Sequence, residues 1–172
     1  EPVWISAEAY MRANALFASA PSLGYLKPII RRSRLTLVRY DERLRIAEDF
    51  DLVMRLLLDG ARMRTYPEVG YHYRKHARSI SHRLSQANID AMIAAHDRLA
   101  KPVTLQGDLR ASFDARRRSL TDARAFDELI TALKARNGKA ALKVALKAPG
   151  ALWLLHLPLR ERLKRLVPPR AA

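Results

Sequence analysis

Glu48-Asp49-Phe50-Asp51-Leu52-Val53-Met54-Arg55-Leu56-Leu57-Leu58-Asp59-Gly60 is the stretch on which the fold turns. Phe50, Leu52, Val53, Met54, Leu56, Leu57 and Leu58 cover nearly the whole circumference of a helix, and a helix that is apolar all round is buried. Three carboxylates, Glu48, Asp49 and Asp51, fall in its first turn, where the positive end of the helix dipole favours negative charge. Gly60 suits the left-handed position just past a helix end. The pattern predicts a buried helix over 48–59 with an acidic head.

Upstream, Ser6 is a candidate cap for a helix over 6–20 that Pro21 stops. Residues 25–30 read as an edge or irregular strand, because Pro28 lies inside the apolar run. A short helix or turn over 31–37 and an irregular loop over 38–46 lead into the buried helix. Downstream, a strand pair is expected, 61–66 with 69–75, joined by a turn at Pro67-Glu68. Beyond a polar loop over 79–85 the texture becomes helical. A helix over 85–100 carries Ile89, Met92, Ile93 and Leu99 on its apolar side, and Pro102 ends it. A long helical region over 108–135 is expected to be interrupted near Ser119–Thr121 and closed by Asn137-Gly138. A short helix over 139–147, an apolar stretch over 148–159 and a basic segment over 160–167 complete the chain. The boundary falls near residue 84, with mixed α/β before it and helices after it.

The 172 residues carry a formal charge of +15. Such a surplus attracts anionic partners. Its distribution is uneven: residues 1–83 hold 15 basic and 9 acidic side chains, residues 84–133 hold 7 of each, and residues 134–172 hold 10 against 1. The basic tail is not interleaved with aromatics as a nucleic-acid stacking platform would be, so no nucleic-acid partner is expected. The absence of cysteine excludes disulfides, thiolate metal sites and thiol nucleophiles. No run approaches the roughly 18 apolar residues that span a bilayer. The apolar, Trp153-bearing segment followed by arginines, 149–167, instead suits an interfacial contact with an anionic membrane surface. The chain begins Glu1-Pro2-Val3-Trp4, which reads as a fragment or a processed chain.

Three constellations carry chemistry. A carboxylate fixed at the head of the 48–59 helix serves as a general base if it opens on a cleft; simple helix capping is the competing explanation. Tyr71-His72-Tyr73-Arg74-Lys75-His76 offers at most two metal ligands, short of the three that a site needs. Gly24 allows close backbone approach to a ligand, or merely a turn.

Taken in order, these pieces resemble a known family. Gly24-Tyr25-Leu26-Lys27-Pro28-Ile29-Ile30-Arg31-Arg32, then Tyr40-Asp41-Glu42-Arg43-Leu44-Arg45-Ile46-Ala47-Glu48-Asp49-Phe50-Asp51-Leu52, Gly60-Ala61-Arg62, Tyr73-Arg74-Lys75-His76 and Ser79-Ile80-Ser81-His82 follow one another. The run from Leu23 to His82 resembles the second half of the catalytic domain of inverting family 2 glycosyltransferases, which have the GT-A fold. It is most similar to bacterial exopolysaccharide enzymes of the succinoglycan-biosynthesis type.

The resemblance implies roles. Asp49 matches the catalytic base and Glu48 its acidic neighbour. Asp51 is a supporting carboxylate, Gly24 lines the donor–acceptor site, and His76, with Arg74 beside it, contacts the metal or the donor phosphates. The complete enzyme would use a nucleotide-sugar donor, a lipid-linked saccharide acceptor and a divalent cation, Mg or Mn. The chain departs from the family in lacking the N-terminal Rossmann-like half with its own Asp-x-Asp motif. The expectation is therefore a helix-rich α/β chain. Residues 1–84 form the C-terminal, acceptor-side part of a GT-A domain with a few short strands, and residues 85–172 an all-helical extension with a basic tail. Such a chain would be inactive alone, would bind no metal by itself, and would work in the cytoplasm at the inner membrane surface. A non-catalytic basic helical module on a membrane or another anionic partner is the alternative.

Overall fold

The computed structural model describes residues 1–17, 23, 27–70, 72 and 84–157. In chain order the elements are β1 (Val3–Ile5), α1 (Ala7–Ala13), a 3-10 helix (Arg32–Thr36), α2 (Glu48–Leu58), β2 (Met63–Thr65), α3 (Gln86–Ala100), α4 (Gly107–Lys134), α5 (Gly138–Lys147) and α6 (Pro149–Trp153). The described chain is thus helix-rich, with one small two-stranded sheet. It divides into two compact units, Glu1–Leu120 and Thr121–Ala172. The change of texture at residue 84 and this division are different boundaries: the first marks a change of element type, the second a change of packing partners.

The first unit is built around α2. Phe50, Leu52, Val53, Met54 and Leu56 are all buried, as the apolar circumference predicts. Phe50, Val53 and Met54 share a core with Tyr10 and Met11 of α1, Leu99 of α3 and Phe113 of α4. Tyr10 stacks on Phe50 with ring centroids 5.8 Å apart and planes within 9°. The helix ends in a Schellman motif: Ala61 N–H donates to the Leu56 carbonyl at 2.9 Å, Gly60 N–H to Leu57 at 3.1 Å, and Gly60 takes φ +80°. Its start is less ordinary. The N-cap is Ala47 at φ 67°, a left-handed conformation that costs an alanine free energy, and it offers no side-chain acceptor to the first turn.

Several expectations need correction. The first helix has Ser6 as its cap, bonded to Ala9 N–H at 3.2 Å, but ends at Ala13 and does not run to residue 20. The Asn14 amide donates to the Tyr10 carbonyl at 2.8 Å and competes with the next helical turn for that acceptor. Residues 27–30 form no strand, and Ile29 is fully exposed; the rest of the 25–30 run lies outside the described residues. Among the described residues, the strand at 63–65 has β1 and no part of 69–75 as its partner. It pairs antiparallel with β1, matching Val3 with Thr65, Trp4 with Arg64 and Ile5 with Met63. The guanidinium of Arg62 lies 4.2 Å from the Trp4 ring centroid, which fastens this pairing. Residues 69, 70 and 72 are not in a strand, and 71 and 73–75 lie outside the described residues.

The long helix α4 shows no interruption near Ser119–Thr121. The Ser119 hydroxyl is satisfied inside the helix by the Arg116 carbonyl at 2.8 Å, so it does not break the ladder. α3 starts where expected, with Ser85 accepting from Asn88 N–H at 3.2 Å.

In the second unit, Leu129 and Ala132 of α4 pack with Ala141 of α5, flanked by Ala140, Val144 and Leu155. Asn137 caps α5 through Ala140 N–H at 3.0 Å. At α6, the Asp122 carboxylate lies so close to Gly150 that a Cβ there would meet its oxygens at 2.5 Å. No helix among the described residues is long and apolar enough to cross a membrane.

Candidate functional site

The loop over 38–46 packs against the acidic head of α2, and between loop, α2 and α3 lies a cleft of about 770 Å³. Four arginines, Arg39, Arg43, Arg55 and Arg98, line it together with Tyr40, Asp41, Glu42 and Asp51. Its polar groups form two clusters. Asp41 accepts from the Arg43 guanidinium at 2.8 and 2.9 Å, from Arg43 N–H at 3.1 Å and from Arg98 of α3 at 3.0 Å. The hydrogen bonds from Arg43 hold the Asp41 carboxyl well below the usual carboxylate range, with Arg98 adding to the effect. Asp51, 5% exposed, pairs with Arg55 one turn on at 2.7 Å. The same guanidinium donates to the Arg39 carbonyl at 2.6 Å and clamps the loop to α2.

That clamp places the next residue. The Tyr40 hydroxyl donates to Asp49 Oδ1 at 2.9 Å. This hydrogen bond, followed by partial burial, raises the Tyr40 phenol and keeps it a donor. Asp49 Oδ2 has no hydrogen bond among the described residues. One carboxylate oxygen is therefore held, and the other is available as a proton acceptor. Glu48 is half-buried beside it. Asp51, expected as a supporting carboxylate, lines the cleft in an ion pair with Arg55. Gly24, Arg74 and His76 lie outside the described residues.

Behind the head of α2 sits a buried cation. Arg116 of α4 is 2% exposed, and its Nε has no hydrogen-bond partner among the described residues. Its guanidinium lies 3.7 Å from the Phe50 ring centroid and 3.3 Å from His96 Nδ1. Burial lowers Arg116 to about 10, so it remains charged at neutral pH. Burial, then the neighbouring guanidinium, pushes His96 down to about 4. The imidazole is thus neutral and offers Nδ1 as an acceptor to Arg116. Burial also pushes the Tyr10 phenol, near both Asp49 and Arg116, up to about 12.

A divalent cation does not fit the described residues. No three carboxylate or histidine side chains converge there. The cleft carboxylates Asp41 and Asp51 are already paired with arginines.

Sequence reasoning placed Asp49 but gave no role to Tyr40, Asp41, Arg55, Arg98 or Arg116. Tyr40-Asp41 stood inside the quoted motif, and the four-residue spacing of Asp51 and Arg55 was a readable signal. Arg116 carried none, being one of three consecutive arginines.

No family model and no solved structure matches the chain. Two curated proteins do. The chain is 40% identical over 160 residues to "Succinoglycan biosynthesis protein ExoO" of Rhizobium meliloti (strain 1021), covering 92% of this chain and 46% of that one. It is 28% identical over 132 residues to "Succinoglycan biosynthesis protein ExoU" of the same organism, covering 76% of this chain and 39% of that one. The chain therefore spans less than half the length of the curated relatives it matches.

Proposed function

We propose that this chain carries the acceptor-side, base-bearing part of an inverting glycosyltransferase of family 2, working in exopolysaccharide synthesis. The similarity to two succinoglycan biosynthesis proteins supports the biosynthetic setting. The observation that carries the chemistry is Asp49, a carboxylate at a rigid helix head, held through one oxygen by a tyrosine of an arginine-lined cleft.

In this reading the acceptor, a lipid-linked saccharide, brings a hydroxyl to Asp49 Oδ2. The carboxylate takes the hydroxyl proton as the oxygen attacks the anomeric carbon of a nucleotide-sugar, the bond to the nucleoside diphosphate breaks on the opposite face so that the diphosphate departs, and the configuration inverts. Tyr40 fixes the carboxylate, and the clamp from Arg55 to the Arg39 carbonyl fixes Tyr40. The arginines of the cleft suit the anionic groups of such substrates. Glu48 adds negative charge beside the base. Gly24, Arg74 and His76 keep the roles that the family resemblance implies.

The test is sugar transfer by the longer protein that contains these residues, wild type against Asp49→Asn. The variant is isosteric and should fold alike, while turnover falls by about 10²–10⁴, the usual effect of losing a general base. Wild-type turnover in the variant would remove Asp49 from the role.

A further inference from the structure

The second unit turns its larger apolar side chains outward. Along α5, Lys139, Leu142, Lys143, Leu146 and Lys147 are all exposed and recur at helical spacing on one face. The opposite face, Ala140, Ala141, Val144 and Ala145, is half-buried or buried, and Ala140, Ala141 and Val144 pack with Leu129 and Ala132 of α4. Ordinary amphipathic patterning buries leucine and exposes alanine. Here Leu142 is 61% exposed and Leu146 76%. In α6, which packs against α5, Trp153 is 75% exposed.

From the end of α4 through α6 the charge has one sign. Between residues 134 and 157 the chain carries Lys134, Arg136, Lys139, Lys143 and Lys147 and no acidic residue. A stripe that alternates leucine with lysine, with an exposed tryptophan nearby, has the chemistry of an interfacial helix. Leucine and tryptophan enter the headgroup boundary while the lysine stems lie along it and keep their ammonium groups at the phosphates. A nucleic acid would use the lysines but not the leucines. We infer that the outer face of α5, with Trp153 of α6, docks on an anionic lipid bilayer surface. The proposal stands on this unit alone and does not depend on the sugar-transfer reading. It overlaps the segment expected from the sequence, 149–167, of which residues 158–167 lie outside the described residues.

The experiment is co-sedimentation of the full chain with phosphatidylglycerol-containing vesicles and with pure phosphatidylcholine vesicles, at low and high salt. Binding to the anionic vesicles, weakened by salt, is expected. The double variant Leu142→Ser with Leu146→Ser keeps every charge and, because both side chains are exposed, should melt like the parent. Its vesicle affinity should fall about tenfold or more, because interfacial binding scales with buried apolar area. On a Trp4→Phe background, Trp153 emission should shift to the blue on binding. Vesicle binding equal to the parent's in the double variant would overturn the proposal, leaving plain electrostatic adhesion. Self-association through this face, lost in the same variant without any vesicle binding, would also overturn it. So would tight RNA binding in the absence of vesicle binding.

Discussion

The Tyr40 hydroxyl and Asp49 Oδ1 stand 2.9 Å apart across the mouth of the loop that faces α2. The tyrosine gets there because Arg55, itself paired with Asp51, holds the preceding carbonyl. A chain of three contacts therefore runs from the buried flank of α2 to the carboxylate at its head.

Tyr40→Phe removes one hydrogen bond to a charged group, an interaction of about 1.5–3 kcal/mol, and keeps the ring. In the longer protein, turnover should fall about tenfold to a hundredfold, with KM little changed. Steady-state kinetics reads the split, and an unchanged kcat would show that the carboxylate needs no such support.

Arg55→Ala leaves Asp51 almost buried without its partner and frees the loop. Breaking a buried pair costs about 3–5 kcal/mol. Arg55 is partly solvated, so about 2 kcal/mol is expected from the urea midpoint. Adding Asp51→Asn should recover part of that loss, because the two residues act as a pair.

Acid should weaken the first unit in two steps. His96 titrates near 6.5 when unfolded and about 4 when folded. Between those values the unfolded chain binds a proton that the folded chain refuses. Its contribution is present above about 6.5 and is lost as pH falls towards 4, by up to about 3 kcal/mol. Asp41, whose folded value is depressed, adds stability above the ordinary carboxylate range and loses it at still lower pH. His96→Gln keeps an acceptor for Arg116 but cannot titrate. Denaturant unfolding of this variant should lose the upper step and retain the lower one.

The left-handed cap of α2 predicts an unusual order of substitutions. Ala47→Val places a β-branched residue at φ 67° and should cost about 2 kcal/mol. Ala47→Gly relieves the backbone by about 1 kcal/mol and loses a methyl contact worth about 0.8 kcal/mol, so its melting temperature should stay near the parent's.

The central helix was legible because its signals agree: apolar circumference, acidic head and Gly60 all mark the same span. Ser6 was readable as a cap for the same reason. The pairing of β1 was not legible. Three residues at the chain start carry little periodicity, and their partner lies far along the sequence, beyond any local pattern. Within the site, Asp49 was visible from its place at a helix head. Tyr40 and Asp41 sit in an irregular loop, where direction is set by contacts such as the Arg55 clamp and not by any repeat. Arg116 was hidden for a different reason: a burial site between Phe50 and His96 exists only once three helices have met.

The β1–β2 ribbon bears on the order in which the first unit assembles. Val3 and Thr65 are 62 positions apart, and the ribbon offers only three residue pairs to offset the entropy of closing that loop. Such a pairing cannot lead folding. It must wait until α1 and α2 have brought the ends together through Tyr10 and Phe50, and it is the first contact to let go when the helices loosen. Trp4, stacked under Arg62, is therefore a built-in optical reporter of early opening at that edge, while the core of α2 is still intact.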